Sequence, residues 1–195
     1  MQGELIGRAR PSNRQSGNGP MITLDPIPLD DLVALSKSSI PTRLVGIALE
    51  GALPPAFVAT RSLDHIDSGK SVHWCSTFYI RDLDKAVVGG CGFKDEPHNG
   101  RVEIGYAVSP ERRNQGIATV AIEALTSLAF KSAEVHEVLA QVSELNAPST
   151  RVVQKLGFVN TGTAVDKDDE VLVQWILRAQ PNPSKTNPKD AMGQC

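Results

Sequence analysis

The stretch with the greatest capacity for chemistry runs from Val102 into the segment after Gly116: VEIGYAV, then SPERRNQG, then IATVAIEALTSLAF. An alternating apolar strand ends in a turn that opens directly into a helix. A helix start leaves several backbone N–H groups unpaired and carries positive partial charge. Gly116 and Ala118 keep bulky side chains away from that start, so an anion can approach the main chain closely. Arg112 and Arg113 add full positive charges beside it. These are the parts of a phosphate cradle made from main chain and reinforced by cations.

Strand–turn–helix cradles serve several ligands. Dinucleotide binding of the Rossmann kind needs G-x-G-x-x-G, and RNQGIA at 113–118 is not that pattern. The Walker pattern needs G-x-x-x-x-G-K-[ST]. Gly69-Lys70-Ser71 supplies its last three residues, but Asp64 stands where its first glycine belongs, and a helix precedes it. An ordinary helix stop is the simpler reading there. What remains is R/Q-x-x-G-x-G/A after a strand.

That pattern, carried by Arg113, Gly116 and Ala118, is followed by Asn146, Ser149, Lys155, Leu156, Gly157 and Phe158. With both motifs in order, residues 102–158 resemble the acetyl-coenzyme A binding half of the GNAT superfamily of N-acetyltransferases. The wording EIGYAVSPERRNQGIA and NAPSTRVVQKLGF is similar to the branch that contains ribosomal-protein N-terminal acetyltransferases. The resemblance runs from about residue 22 to 177. It implies an α/β (α+β) fold: a mixed, mostly antiparallel central sheet, helices on both faces, and a splayed strand pair that holds the cofactor. It implies acetyl-CoA as co-substrate and no metal. Backbone N–H groups of Gln115, Gly116, Ile117, Ala118 and Thr119 would hold the pyrophosphate, with Arg113 and Asn114 in the same loop. Main chain from Tyr106 to Val108 would pair with the pantetheine arm, and Asn146 would bond it from the far side, with Ser149 nearby.

Moving an acetyl group from a thioester to an amine requires a neutral amine. A lysine-type amine has a pKa near 10.4, so only about one in a thousand is neutral at pH 7. A carboxylate can take the proton. Glu103 is the candidate base, because it shares a strand face with the small residues Gly105 and Ala107. The competing reading is a solvated strand residue, or one paired with Arg101. The Val108 N–H is the candidate oxyanion donor. A general acid is less evident. Many relatives carry a tyrosine seven residues after the asparagine, and Val153 stands there. Ser149 or Tyr106 could donate through water, or the thiolate could leave unaided, a thiol pKa being about 8.5. The alternative to an enzyme is a non-catalytic acyl-CoA sensor or interaction module, and nucleotide binding at the same cradle is a minor third reading.

The acceptor expected is a primary amine, on a small molecule or at a protein N-terminus, and a homodimer is possible. The chain of 195 residues has 20 Lys+Arg against 22 Asp+Glu, which argues against a nucleic-acid or membrane-surface partner. No apolar run approaches the ~20 residues of a bilayer crossing. His65, His73, His98 and His136 lack metal-ligand spacing, and Trp74 and Trp175 read as core. Cys75, Cys91 and Cys195 form no C-x-x-C pair, so a reducing, cytoplasmic compartment is expected, with Cys91 inert in an apolar strand.

The elements that must position these groups follow from periodicity. Helices are expected from Asp30 through Ser36 and from Ala56 to Ser68, with Ala59, Leu63 and Ile66 on one face of the second. Phe78 and Ile80 alternate with Thr77, Tyr79 and Arg81, a turn follows at 82–85, and 86–93 returns as a hairpin. With the strand at 102–108 this predicts three antiparallel strands in a row. A long helix is expected over 115–131 with Ile117, Ala121, Ala124, Leu125 and Leu128 inward. A buried strand at 137–142, a short helix from Asn146 to Leu156, and strands near 158–164 and 170–178 complete the order. Residues 1–20 and 180–195 lack hydrophobic periodicity and are expected to be tails around one domain at 21–179.

Overall fold

The computed structural model describes residues 19–180, so the expected tails lie outside the described residues except at their inner edges. Its first strand, Thr23–Pro26 (β1), is the one the sequence pattern misses. Four residues ending in proline are too few to show alternation. Leu29–Ser36 (α1) follows, with Asp30 and Asp31 in its first turn, where acids suit the positive helix end. Pro54-Pro55 then leads into Ala56–Asp67 (α2), which stops at Gly69 with φ +79°. Val72–Cys75 (α3) is a single turn.

The hairpin forms as expected from Thr77–Arg81 (β2) and Val87–Phe93 (β3), and Arg101–Val108 (β4) continues the antiparallel run. The helix after the cradle is Ile117–Ala129 (α4), shorter at both ends than predicted. Ala124 faces solvent, and Ile122 and Ala129 take inward positions with Ile117, Ala121 and Leu125. Glu137–Ser143 (β5), Ala147–Lys155 (α5), Val159–Val165 (β6) and Val171–Arg178 (β7) complete the chain. The seven strands order as β1-β2-β3-β4-β5-β7-β6, and β4 with β5 is the parallel pair.

Each face of the sheet has its own core. Ile80, Phe93, Val102 and Ile104 pack with Ile117, Ile122 and Leu125 on one side. On the other, Leu32, Leu35 and Ala59 of α1 and α2 pack with Leu44, Tyr79 and Val87, while Leu63 and Ile66 are half-buried at the rim. Tyr79, which alternates with Phe78 and Ile80 along β2, is fully buried on this second face. Its hydroxyl donates to the buried Asp31 carboxylate at 2.8 Å, and Arg43 donates to the same carboxylate at 3.1 and 2.5 Å. A buried carboxylate needs such partners, and these fasten α1 across the sheet.

Candidate active site at the splayed strands

β4 and β5 pair only from Arg101–Glu137 to Ile104–Ala140. Beyond that point β5 stays with β7 as far as Ser143, and β4 stays with β3 as far as Val108. The two strands therefore part, and a wedge opens between them. Its closed end is clamped by Glu137, which accepts from Arg101 at 2.6 Å and Arg178 at 2.9 Å.

Antiparallel register decides which main-chain groups face the wedge. The Lys94 N–H donates to Glu103 O, and the Ser109 N–H to Val88 O, so Glu103, Gly105, Ala107 and Ser109 turn their amides toward β3. Tyr106 and Val108, on the alternate register, turn theirs toward the gap. A cleft of about 760 Å³ opens there. Tyr106, Val108, Asn146 and Ser149 line its walls, and Arg113, Asn114, Gly116, Ile117, Ala118 and Thr119 line its end. Gln115 is not in the lining, and its side chain turns back to donate to Glu111 O at 3.3 Å.

At the cradle, Asn114 (φ +60°) and Gly116 (φ +81°) both adopt left-handed backbone. Gly116 is the N-cap of α4, and no side chain caps that end. The first-turn amides of α4 are thus left for an outside acceptor. A Cβ at Gly116 would be strained by its φ and would lie 3.4 Å from Pro20 Cδ, at the inner edge of the expected N-terminal tail. Arg113 Nε points back to Val108 O at 3.4 Å, which joins the cradle to the strand end. Arg112 differs from expectation. It lines the cleft beside Arg113, and its guanidinium is ion-paired with Asp82 in the β2–β3 turn, so its charge is partly compensated and it tethers the loop.

Across the cleft, Asn146 Oδ1 accepts from the Ser149 N–H at 3.1 Å and caps α5. Its Nδ2 donors remain for a ligand. Tyr106 Oη donates to Ser149 O at 3.3 Å, and burial pushes this phenol above its ordinary value. Val153 is fully buried, so no side chain there reaches the cleft.

Glu103 lies outside the cleft lining, on the paired half of β4 opposite Leu139. It is ion-paired with Lys94 and not with Arg101, which pairs with Glu137. Its face is the one shared with Gly105 and Ala107, as expected. Sequence reading overlooked Lys94, which lies in no motif. Trp74 is core, edge-on to Phe93 at 5.1 Å, and His73 packs edge-on to Trp74 at 4.5 Å. Burial pushes the Cys91 thiol up to about 12, which makes it unreactive. Among the described residues no group of His, Cys, Asp and Glu is placed to hold a metal ion, and no helix is long and apolar enough to cross a membrane.

Comparison with known proteins agrees with this geometry. The family model described as an acetyltransferase (GNAT) domain matches residues 23–159, and the chain belongs to that family. An uncharacterized N-acetyltransferase p20 of Bacillus licheniformis is 32% identical over 88 residues, 45% of this chain and 49% of that protein. YjdG of Bacillus subtilis strain 168, also an uncharacterized N-acetyltransferase, is 34% identical over 85 residues, 43% of this chain and 51% of that protein. The matched stretch thus spans about half the length of each relative. Among solved structures, Mycobacterium smegmatis RimJ in complex with CoA-disulfide superposes with TM-score 0.59 at 20% identity, covering 83% of this chain and 84% of that one. Ribosomal-protein-S5-alanine acetyltransferase from Vibrio fischeri gives TM-score 0.58 at 16% identity, covering 80% and 92%. At such identities these two show the shared fold.

Proposed function

We propose that the chain is an N-acetyltransferase that moves an acetyl group from acetyl-CoA to a primary amine by direct attack within a ternary complex. One observation carries the reading: the unpaired end of β4 and the uncapped start of α4 face the same cleft. A strand edge suits an extended amide-bearing arm, and a free helix start suits a diphosphate. The residues fit that ligand. Amides of Gly116 to Thr119 would hold the diphosphate, main chain of Tyr106 and Val108 would pair with the arm, and Asn146 Nδ2 would bond it from α5. The Val108 N–H would then stabilise the oxyanion as the carbonyl is attacked.

Glu103 is the proposed base, acting directly or through water on the amine that enters over Gly105 and Ala107. Tyr106 and Ser149, which both line the cleft, are the groups proposed to assist the departing thiolate. A cytoplasmic, reducing setting suits Cys75 and Cys91, which are both free and buried.

Structural neighbours named for spermidine and for an alanine of ribosomal protein S5 leave both a small amine and a protein N-terminus as acceptor classes. A second reading, an acyl-CoA sensor without turnover, has its own support: Glu103 is paired with Lys94, and Val153 supplies no acid. A thiol-release screen over a mixed panel of amines and peptides separates the two. Acetyl-CoA-dependent release with at least one amine is expected. Cofactor binding without release from any of them would favour the sensor.

A further inference from the structure

Of the residues that line the cleft, Arg112, Arg113, Arg151 and Lys155 are cations and none is an acid. The chain as a whole leans the other way, with 22 Asp+Glu against 20 Lys+Arg, so the bias belongs to the cleft. Asp82 partly compensates Arg112. Glu111 and Glu144 are each next in sequence to lining residues, yet neither lines the cleft or, among the described residues, forms an ion pair. With those acids counted, Arg113, Arg151 and Lys155 still meet no carboxylate among the described residues.

Arg113 stands at the cradle, where a diphosphate accounts for it. Arg151 and Lys155 stand on the other wall, on α5. Four positions apart on a helix, they share one face, and like charges at that spacing repel. Both are exposed and, among the described residues, neither side chain makes a hydrogen bond or ion pair. Lys155 lies in the last turn, where a cation suits the negative helix end. Arg151, in the middle of α5, has no such reason to be there. Two like charges side by side on a cleft wall are unfavourable until an anion lies between them.

Acetyl-CoA carries two separate anionic groups. Its diphosphate fits the cradle. Its ribose bears a phosphate monoester at the 3′ position, a group with a charge of about −1.5 to −2 at pH 7. A guanidinium fork can take two oxygens of such a group, and an ammonium adds a point charge. Resting on the transferase function, we infer that Arg151 and Lys155 form a distinct subsite for the 3′-phosphate, and that the chain therefore selects CoA thioesters over those of dephospho-CoA. The cradle and the strand edge grip parts that both donors share, so they cannot tell the two apart. Cations on α5 that reach the ribose can.

The test is calorimetric titration of the full chain with CoA and with dephospho-CoA, which differ only in that phosphate. CoA should bind at least about tenfold more tightly, the scale of a charge-assisted hydrogen bond. Arg151→Gln should weaken CoA binding several-fold and leave dephospho-CoA binding unchanged, and Arg151→Lys should restore part of the loss. Arg151→Gln combined with Lys155→Gln should bring both ligands to equal affinity. Equal binding of the two ligands by the parent would overturn the inference and keep the cofactor cleft. Equal weakening of both by the α5 variants would also overturn it, because these cations would then serve the diphosphate. The ligand pair on the parent and on Arg151→Lys decides the matter if the double variant fails to fold. Binding of neither ligand by the parent would overturn the transferase function together with the inference.

Discussion

The Tyr106 hydroxyl donates to the main-chain carbonyl of Ser149 at 3.3 Å, joining β4 to α5 across the wedge. Both residues line the cleft, so this one hydrogen bond couples the strand that would hold the pantetheine arm to the helix that would close over it. Tyr106→Phe removes a neutral hydrogen bond and should cost about 1 kcal/mol of stability. Acetyl-CoA affinity should hold while kcat falls about tenfold. Unchanged kcat would remove the phenol from the chemistry.

Glu103→Gln keeps shape but cannot accept a proton. A general base contributes roughly 10²–10⁴-fold, so kcat should fall at least a hundredfold with acetyl-CoA binding intact. The alkaline rise of kcat/KM that reports amine deprotonation should persist. If steady-state rates stay within a few-fold of the parent, another group takes the proton.

Arg113→Ala combined with Gly116→Glu should abolish cofactor binding. The first change removes the cation at the loop; the second places a β-carbon in left-handed backbone and an anion where a diphosphate would sit. Ligand at a hundredfold over Kd stabilises a fold by about 2.7 kcal/mol. For a domain of this size that is roughly 5–10 °C in Tm, and the double variant should lose all of it. Retention of the shift would mean that acetyl-CoA binds elsewhere.

Arg112 and Asp82 should behave as one unit. Each single change, Arg112→Ala or Asp82→Asn, should weaken acetyl-CoA binding several-fold by loosening the loop, and the double variant should be no worse than either. A larger loss for Arg112→Ala alone, read by calorimetric titration, would show that its charge acts on the ligand directly.

Glu137 contributes to acid sensitivity. Hydrogen bonds from Arg101 and then Arg178 hold its carboxyl below the ordinary glutamate value. A carboxyl with a depressed folded-state pKa stabilises the fold above its unfolded value of about 4.3 and loses that contribution as pH falls through the folded value. Solvent exposure keeps the effect small. Glu137→Gln should therefore lower Tm slightly near neutrality and flatten its decline below about pH 4.3; parallel curves for both proteins would show that the clamp adds nothing.

Much of the fold was legible along the chain. Alternation at 78–80 and 102–108 marked the antiparallel strands, and helical spacing from Ile117 marked α4, because local backbone geometry alone sets those periods. Arg113, Gly116 and Asn146 stood out because an anion-binding helix start and an N-cap depend on residues adjacent in sequence. β1 stayed hidden because four residues carry too little pattern, and the burial of Tyr79 was not legible because alternation does not show that helices cover the second face of the sheet.

Tertiary structure alone decided the partners of the charges. Arg112 meets Asp82 across 30 positions, and Lys94 meets Glu103 across a turn. Ion pairing depends on distance in space, and no local periodicity encodes it. The wedge belongs to the same class. It exists because β4 follows β3 while β5 follows β7, and that divergence is a property of the assembled sheet.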